Sequence, residues 1–465
     1  MPGHARAVRV LVVADAEESR ARFEKVVADL SQRWPESRIE PSLARITALL
    51  DLLGDPQQSA PVIAVTGTNG KSSTARMIAS LLRALGLRTG LFTSPHLLDP
   101  TERIEIDGEP ISAESFVQVW EDISPFVEMV DTQSASEGGV ALSFFEILTG
   151  LAYAAFADAP VDVAVVEVGM GGSWDATSAA VAQVGVVLTV DLDHTDYLGA
   201  TLAEIAREKA GIITEGASAV IGVQRPEAAA VITDHLEAVS ASGVWEGRQF
   251  EVSRREIAVG GQVITVDGTA AVYDEVFVPA FGEHQAHNAA CALVAVESFL
   301  GGQEVPAEVV EEGFGALVLP GRLEVVRRGP TVLIDAAHNP AGARALATAL
   351  GEAFAFTHLV AVVSVLADKD VLGILAALES AVDEIVVTQN ASPRAMGVDD
   401  LAALAVEVFG AERVEVASSF AGALDAAITL AEEADSYAAS GVVVTGSVVT
   451  AGQARGLLLR SAGNA

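Results

Sequence analysis

The stretch Val62–Ser73, reading VIAVTGTNGKSS, runs four apolar residues into a tight polar turn and then into Gly70-Lys71-Ser72 at the start of a helical pattern. Backbone N–H groups of such a turn, backed by a helix N-terminus, make a pocket for phosphate oxygens. Lys71 is spaced to reach the terminal phosphates of a nucleotide, and the Ser72 hydroxyl to sit on its magnesium. The common form of this loop carries glycine six residues before the lysine. Here that position is Val65, and the glycine is Gly67, inside TGTNGKS. The departure separates the chain from generic nucleotide switches.

A second stretch, VVEVGMGGSWDAT at Val165–Thr177, puts Glu167 at the end of an apolar run and before a glycine-rich turn. A carboxylate at a strand end beside a phosphate loop is where an NTPase places its magnesium-binding acid. A strand-terminal acid that only caps its loop is the alternative, and the phosphate loop ahead of it favours the metal role. In Thr189–Ile212, His194 follows another apolar run and Lys209 lies in the helical pattern beyond. Spacing alone assigns neither. Asp335–Pro340 (DAAHNP) and Asp368-Lys369-Asp370 follow two further runs. Polar clusters at successive strand ends point to a shared cleft.

The elements that must hold these groups read as alternating strands and helices. Val161–Val168 and Val184–Val190 are unbroken apolar runs, as in strands covered on both faces of a parallel sheet. Ala75–Leu85, Ala113–Val130, Phe144–Phe156 and Leu202–Gly211 have helical periodicity, and the acidic stretch Asp131–Gly139 reads as a loop. Gly243–Pro279 changes texture to short β-rich runs, expected as hairpins on the edge of the first domain. His284–Leu300 and Ala307–Phe314 return to helix. After Leu319-Pro320-Gly321, the expected boundary, come strands at Thr331–Ile334, Leu359–Val365, Glu384–Val387 and Val442–Thr445. The expectation is an α/β protein with a P-loop NTPase-like N-terminal domain, residues 1–320, with a parallel-rich sheet. A smaller Rossmann-like α/β C-terminal domain, residues 321–465, follows it.

The chain has 465 residues, 51% of them hydrophobic and 20% charged, which is a globular composition. Its formal charge of −35 argues against a nucleic-acid surface, which needs a basic patch. Cys291 is the single cysteine, so no intrachain disulfide can form and a reducing cytoplasm fits. No run approaches the roughly 18 apolar residues of a membrane span. Arg6 and Arg9 precede Val10–Ala14, but that run is too short for a secretory signal and leads into Asp15, Glu17 and Glu18. Residues 1–35 have no reading beyond a helical segment near Ala16–Leu30.

Taken together, the chain resembles the folylpolyglutamate synthases, which in many bacteria are also dihydrofolate synthases and are ATP-dependent amide ligases of the Mur-ligase superfamily. The resemblance starts near Ile39. It is carried by TGTNGKS, TSPHL at Thr93–Leu97, TERI at Thr101–Ile104, SFFE at Ser143–Glu146 and EVGMGG at Glu167–Gly172. It continues through DATS at Asp175–Ser178, LDH at Leu192–His194, EKAGI at Glu208–Ile212 and HQAHNAA at His284–Ala290. PGRLE at Pro320–Glu324, DAAHNP, DKD and TGS at Thr445–Ser447 complete it. The resemblance implies catalytic roles for Lys71, Glu167, His194 and Lys209, with Asn69, Gly70, Lys71 and Ser72 on the ATP phosphates. Ser72, Glu167 and His194 would ligate magnesium, as one of two ions, and Lys209 would be carbamylated. Asn288, Arg322, Asp335 and His338 would bind the nucleotide from the second half. Glu40, Pro41, Ser94, Ser143, Phe144, Phe145, Trp174, Asp175 and Ala176 would bind folate or pteroate. The implied reaction adds L-glutamate through an acyl phosphate, in a cytoplasmic monomer acting on small molecules.

Relatives commonly have arginine at Ser173 and asparagine at Ser178, so contacts in that loop differ. A cell-wall Mur ligase is the nearest rival, but only about 60 residues precede the loop, too few for a UDP-binding domain. A non-catalytic P-loop regulator is a rival of another class. It would carry an N-K-x-D guanine-reading motif, which this sequence lacks.

Overall fold

A computed structural model describes residues 18–34, 40–434 and 439–463. The apolar run weighed as a signal and the first residues of the Ala16–Leu30 segment lie outside them, as does Ile39. The described part of that segment is helical, over residues 18–31.

Among the described residues, seventeen strands form three sheets. The first holds β1 (Val62–Thr66), β2 (Thr89–Phe92), β3 (Ile104–Ile106), β4 (Glu109–Pro110), β5 (Val163–Glu167), β6 (Ala182–Val187), β7 (Ser218–Ile221) and β8 (Ser242–Trp245). Their order is β4-β3-β2-β5-β1-β6-β7-β8. The six strands from β2 to β8 in that order run parallel, and β3 and β4 add an antiparallel edge. The strand before the phosphate loop therefore sits between β5 and β6. Val65 is in register with Glu167 and Thr66 with Val187, so the loops after all three strands emerge side by side. This is the carboxyl-end position where open α/β sheets bind ligands.

The β-rich middle forms its own antiparallel sheet of β9 (Glu251–Ala258), β10 (Gly261–Asp267) and β11 (Val272–Val278), not hairpins extending the first sheet. The third sheet contains β12 (Glu324–Arg328), β13 (Thr331–Ile334), β14 (His358–Val363), β15 (Glu384–Val387), β16 (Val414–Val416) and β17 (Ser440–Thr445), in the order β12-β13-β17-β14-β15-β16. All pairs are parallel except β12 with β13. Leu333, Ala361, Val363, Ile385 and Val443 join one core, whereas Val332, Ile334, Val360, Val362 and Val444 join another. Strand side chains alternate in direction, so both faces of this sheet are buried and the strands read as continuous apolar runs.

Two compact units result. One comprises 1–94, 100–249 and 291–305; the other comprises 95–99, 250–290 and 306–465. The helix expected over Ala113–Val130 extends as Ala113–Ser136, so residues 131–136 are helical rather than loop. Val127 and Val130 bury its apolar stripe, and the chain leaves the helix at Gly138, whose φ of 79° ends it. Asp131 accepts a hydrogen bond from Leu142 N at 2.7 Å and pairs with Arg33, which explains an acid at that helix end. Among the described residues no helix is long and apolar enough to cross a membrane.

Candidate active site

The phosphate loop is held by its neighbours before it meets any ligand. Gly67, at φ 153°, lies against Leu188: a Cβ there would come within 2.7 Å of the Leu188 Cβ. Thr68 Oγ1 donates to Asp191 O at 3.0 Å and accepts from Asp191 N at 2.8 Å. Thr66 Oγ1 donates to Gly171 O at 2.8 Å, which ties the loop to the glycine-rich turn after β5. Gly70 takes a left-handed φ of 85° and opens the helix Lys71–Ala84. The N-terminus of that helix therefore begins directly after the loop, where a helix dipole favours an anion.

Ser72 and Glu167 are brought together. Ser72 Oγ donates to Glu167 Oε1 at 2.9 Å, and Ser94 N donates to Glu167 Oε2 at 3.0 Å. Glu167 is 2% exposed. A hydroxyl beside a buried carboxylate at a helix N-terminus is an oxygen donor pair of the type magnesium prefers, so the residues fit that ion. His194 has a left-handed φ of 51° and starts the short helix Thr195–Leu198. It lines a small pocket with Gly67, Thr68, Lys71, Asp193 and Lys209. Among the described residues, no three His, Cys, Asp or Glu side chains come close enough to share a metal.

Two lysines converge on this loop. Lys71 Nζ donates to the carbonyls of Gly67 and Thr68, each at 3.2 Å. Lys209 Nζ donates to Gly67 O at 2.8 Å from the last turn of the helix Leu202–Ala210. Burial, and then the neighbouring Lys71 charge, bring the Lys209 amine down to about 7. Its helix end is packed under the glycine-rich turn. A Cβ on Gly172 would stand 2.5 Å from Glu208 O and 2.8 Å from Lys209 O. Ser173 and Ser178 brace the same turn. Ser173 Oγ donates to Glu208 Oε1 at 2.6 Å, and Ser178 Oγ donates to Gly172 O.

The residues expected to bind a flat aromatic substrate lie on four segments. Ser143 caps the helix Phe144–Asp158 in a reciprocal capping box with Glu146. Phe145 packs on Phe92, ring centroids 5.9 Å apart, and the Arg103 guanidinium lies 5.4 Å from the Phe144 ring. Both phenylalanines are half-buried against the core, as is Trp174. Asp175 uses its oxygens on the turn itself: Oδ2 accepts from Met170 N at 2.8 Å, and Oδ1 accepts from Thr177 N and Oγ1. Burial still raises its carboxyl above the usual range. Ala176 is buried, Ser94 is half-buried, and Glu40 and Pro41 are exposed.

In the second unit, Asp335 follows β13. Its Oδ2 accepts from Leu323 N at 2.9 Å and its Oδ1 from Ala337 N at 2.8 Å. His338 Nδ1 lies 3.0 Å from Ala336 O, and Asn339 caps the helix Pro340–Ala353. Arg322 N donates to Leu319 O at 3.2 Å, and its charge acts on the Asp335 carboxyl. Asn288 is buried, with Nδ2 donating to Gln285 Oε1 at 3.0 Å. Asn69 is exposed in the loop of the first unit. Sequence reasoning passed over Asp193, Thr66 and Thr68. Asp193 stands in the LDH run beside His194, but the two threonines act through partners more than 100 residues away.

The chain matches the family models for the Mur ligase middle domain, over residues 141–296, and for the Mur ligase glutamate ligase domain, over residues 321–448. It is 53% identical over 451 residues to a dihydrofolate synthase/folylpolyglutamate synthase of Mycobacterium tuberculosis, covering 93% of each chain. A crystal structure of the M. tuberculosis folylpolyglutamate synthase complexed with ADP and AMPPCP superposes with a TM-score of 0.90 and 52% identity. It covers 95% of this chain and 99% of that one. E. coli FolC in complex with DHPP and ADP superposes with a TM-score of 0.81 and 29% identity, covering 95% and 98%. Sequence likeness across nearly the whole length, with the cradle and both matched domains in place, shows that the chain belongs to the folylpolyglutamate/dihydrofolate synthase family of Mur ligases.

Proposed function

We propose that the chain is an ATP-dependent ligase that adds L-glutamate to folates and to dihydropteroate, acting as folylpolyglutamate synthase and dihydrofolate synthase. The observation that carries this reading is the contact of Ser72 with Glu167 beneath a TGTNGKS loop whose floor is also bonded by Lys209. A carboxylate does not condense with an amine unaided, because its oxygen is a poor leaving group. In the proposed reaction a substrate carboxylate oxygen attacks the γ-phosphorus of ATP, and the bond to the β-phosphate oxygen breaks to release ADP. The glutamate nitrogen then attacks the acyl phosphate carbon, phosphate leaves, and the nitrogen gives up a proton.

Positioning and charge neutralisation are the protein's part in this chemistry. Asn69, Gly70, Lys71 and Ser72 would hold the phosphates, and Lys71 would stabilise charge growing on the γ-phosphoryl oxygens. Ser72 and Glu167, with His194, would hold magnesium, which when bound neutralises the phosphate oxygens. Lys209 is suited to carbamylation because its amine loses its proton near neutrality. Its nitrogen attacks carbon dioxide, sheds a proton and becomes an anionic carbamate, which could support a second ion. Asn288, Arg322, Asp335 and His338 are proposed for the nucleotide. Glu40, Pro41, Ser94, Ser143, Phe144, Phe145, Trp174, Asp175 and Ala176 are proposed for the folate or pteroate. We assign 1–320 to the ATP-binding domain and 321–465 to the glutamate-ligase domain of a cytoplasmic monomer, a setting that buried Cys291 fits.

Incubation with ATP, magnesium and L-glutamate, with dihydropteroate and tetrahydrofolate in separate tubes, tests the reading. Phosphate release matched by a product heavier by one glutamyl residue is expected in both. Phosphate without amide, or neither, overturns the assignment.

A further inference from the structure

Arg45 sits in the first turn of the helix Ala44–Leu52, where a cation opposes the helix dipole. Its guanidinium is committed elsewhere. Nε donates to Glu146 Oε1 at 3.0 Å and Oε2 at 3.3 Å, Nη2 donates to Glu40 O at 3.1 Å, and the group lies 5.8 Å from the centre of the Trp34 ring. The two side chains are 12% and 7% exposed. Burying such a pair costs much of what the attraction returns, so it is poor evidence for stability and better evidence for a fixed register.

Glu146 meanwhile closes the capping box: its Oε2 accepts from Ser143 N at 2.8 Å, while Ser143 Oγ accepts from Glu146 N at 3.1 Å. Phe144 N also donates to Trp34 O at 3.4 Å. One carboxylate thus joins the Glu40-Pro41 segment to the Ser143-Phe144-Phe145 segment. Further along the same helix, Tyr153 Oη donates to Thr177 O at 2.8 Å and anchors the Trp174–Ala176 segment. Substrate candidates from three distant stretches are therefore referred to one helix, and Arg45 sets the outermost of them.

We propose that Arg45, through its ion pair with Glu146, is a positioning residue that fixes the Glu40-Pro41 segment against the Phe144–Asp158 helix and so shapes the pocket for the pterin-bearing substrate. The inference rests on the functional reading above. It is tested with full-length wild type, Arg45→Met, Glu146→Gln and the double variant, by steady-state kinetics on dihydropteroate, ATP and L-glutamate. Each single variant raises the KM for dihydropteroate about tenfold, with the KM for ATP held within about twofold. The double variant is no worse than the worse single, because both remove the same link. Glu146→Gln keeps an amide oxygen for the Ser143 cap, so it decides the matter if Arg45→Met fails to fold. A dihydropteroate KM unchanged in Glu146→Gln, or a parallel rise for all three substrates, overturns the proposal. Wild type that makes no amide overturns the functional reading and this inference with it, whereas normal wild type with unaffected variants overturns this inference alone.

Discussion

Lys209 is a buried amine facing a second lysine, and its proton count differs between folded and unfolded chains. Its ordinary value is 10.5, and in the fold it is about 7. Between those limits the unfolded chain binds the extra proton, so this residue makes stability rise with pH across that window. Below about 7 the folded chain bears the full penalty. Lys209→Met should therefore be more stable than wild type near pH 7, with the advantage shrinking toward pH 10, and inactive as a ligase. Urea denaturation at several pH values checks the slope; a constant difference would contradict the buried-amine account. Wild type equilibrated with bicarbonate should gain the mass of one carbon dioxide, and Lys209→Met should not. Lys71→Ala should keep the fold but lose on the order of a thousandfold or more in amide formation, because it removes the group proposed to stabilise charge at the transferring phosphoryl. Near-wild-type turnover in that variant would rule out the cradle as the ATP site.

At the level of elements, the glycine-rich turn and the end of the Lys209 helix fit with no space for a methyl group. Gly172→Ala would press a Cβ into two backbone carbonyls at 2.5 and 2.8 Å. We expect it to cost about 1–3 kcal/mol and to lower kcat by displacing Lys209. Gly351→Ala, in the helix Pro340–Ala353 with nothing within 4 Å, is the control and should gain a few tenths of a kcal/mol. Equal melting temperatures for the two variants would count against the packing argument. The strands were legible because a sheet buried on both faces writes itself as Val-rich runs, and Glu167 could be placed at a strand end for that reason. Residues 131–136 were not legible. Aspartate, serine and glutamine read as loop, whereas the buried Val127 and Val130 and the bonds of Asp131 to Arg33 and Leu142 N hold the stretch as helix. The Ser72–Glu167 pair was legible through TGTNGKS and EVGMGG, but its contact depends on β1 and β5 being neighbours, which no local pattern encodes. The Arg45–Glu146 pair spans 101 residues and was missed although SFFE was recognised, because an acid at a capping-box position already has a local explanation.

At the level of the whole molecule, the two halves of the electrostatics oppose one another. The chain carries 63 acidic and 28 basic residues, yet its proposed substrates are ATP, a glutamate and a folate, all anions. Far from the site, the field of −35 charges repels them. Close in, Lys71 and the helix start attract phosphate over a few ångströms, partly shielded from solvent. Salt treats the two unequally. The Debye length falls from about 30 Å at 0.01 M to about 8 Å at 0.15 M, which removes the long-range repulsion but leaves short contacts in the cradle largely intact. The KM for ATP should therefore fall or stay level as sodium chloride is raised across that range at fixed magnesium. The melting temperature should rise over the same range, as self-repulsion among the carboxylates is screened, and then level off. A KM that climbs steeply from the lowest salt would mean that a basic surface, not a local cradle in an acidic protein, governs nucleotide capture.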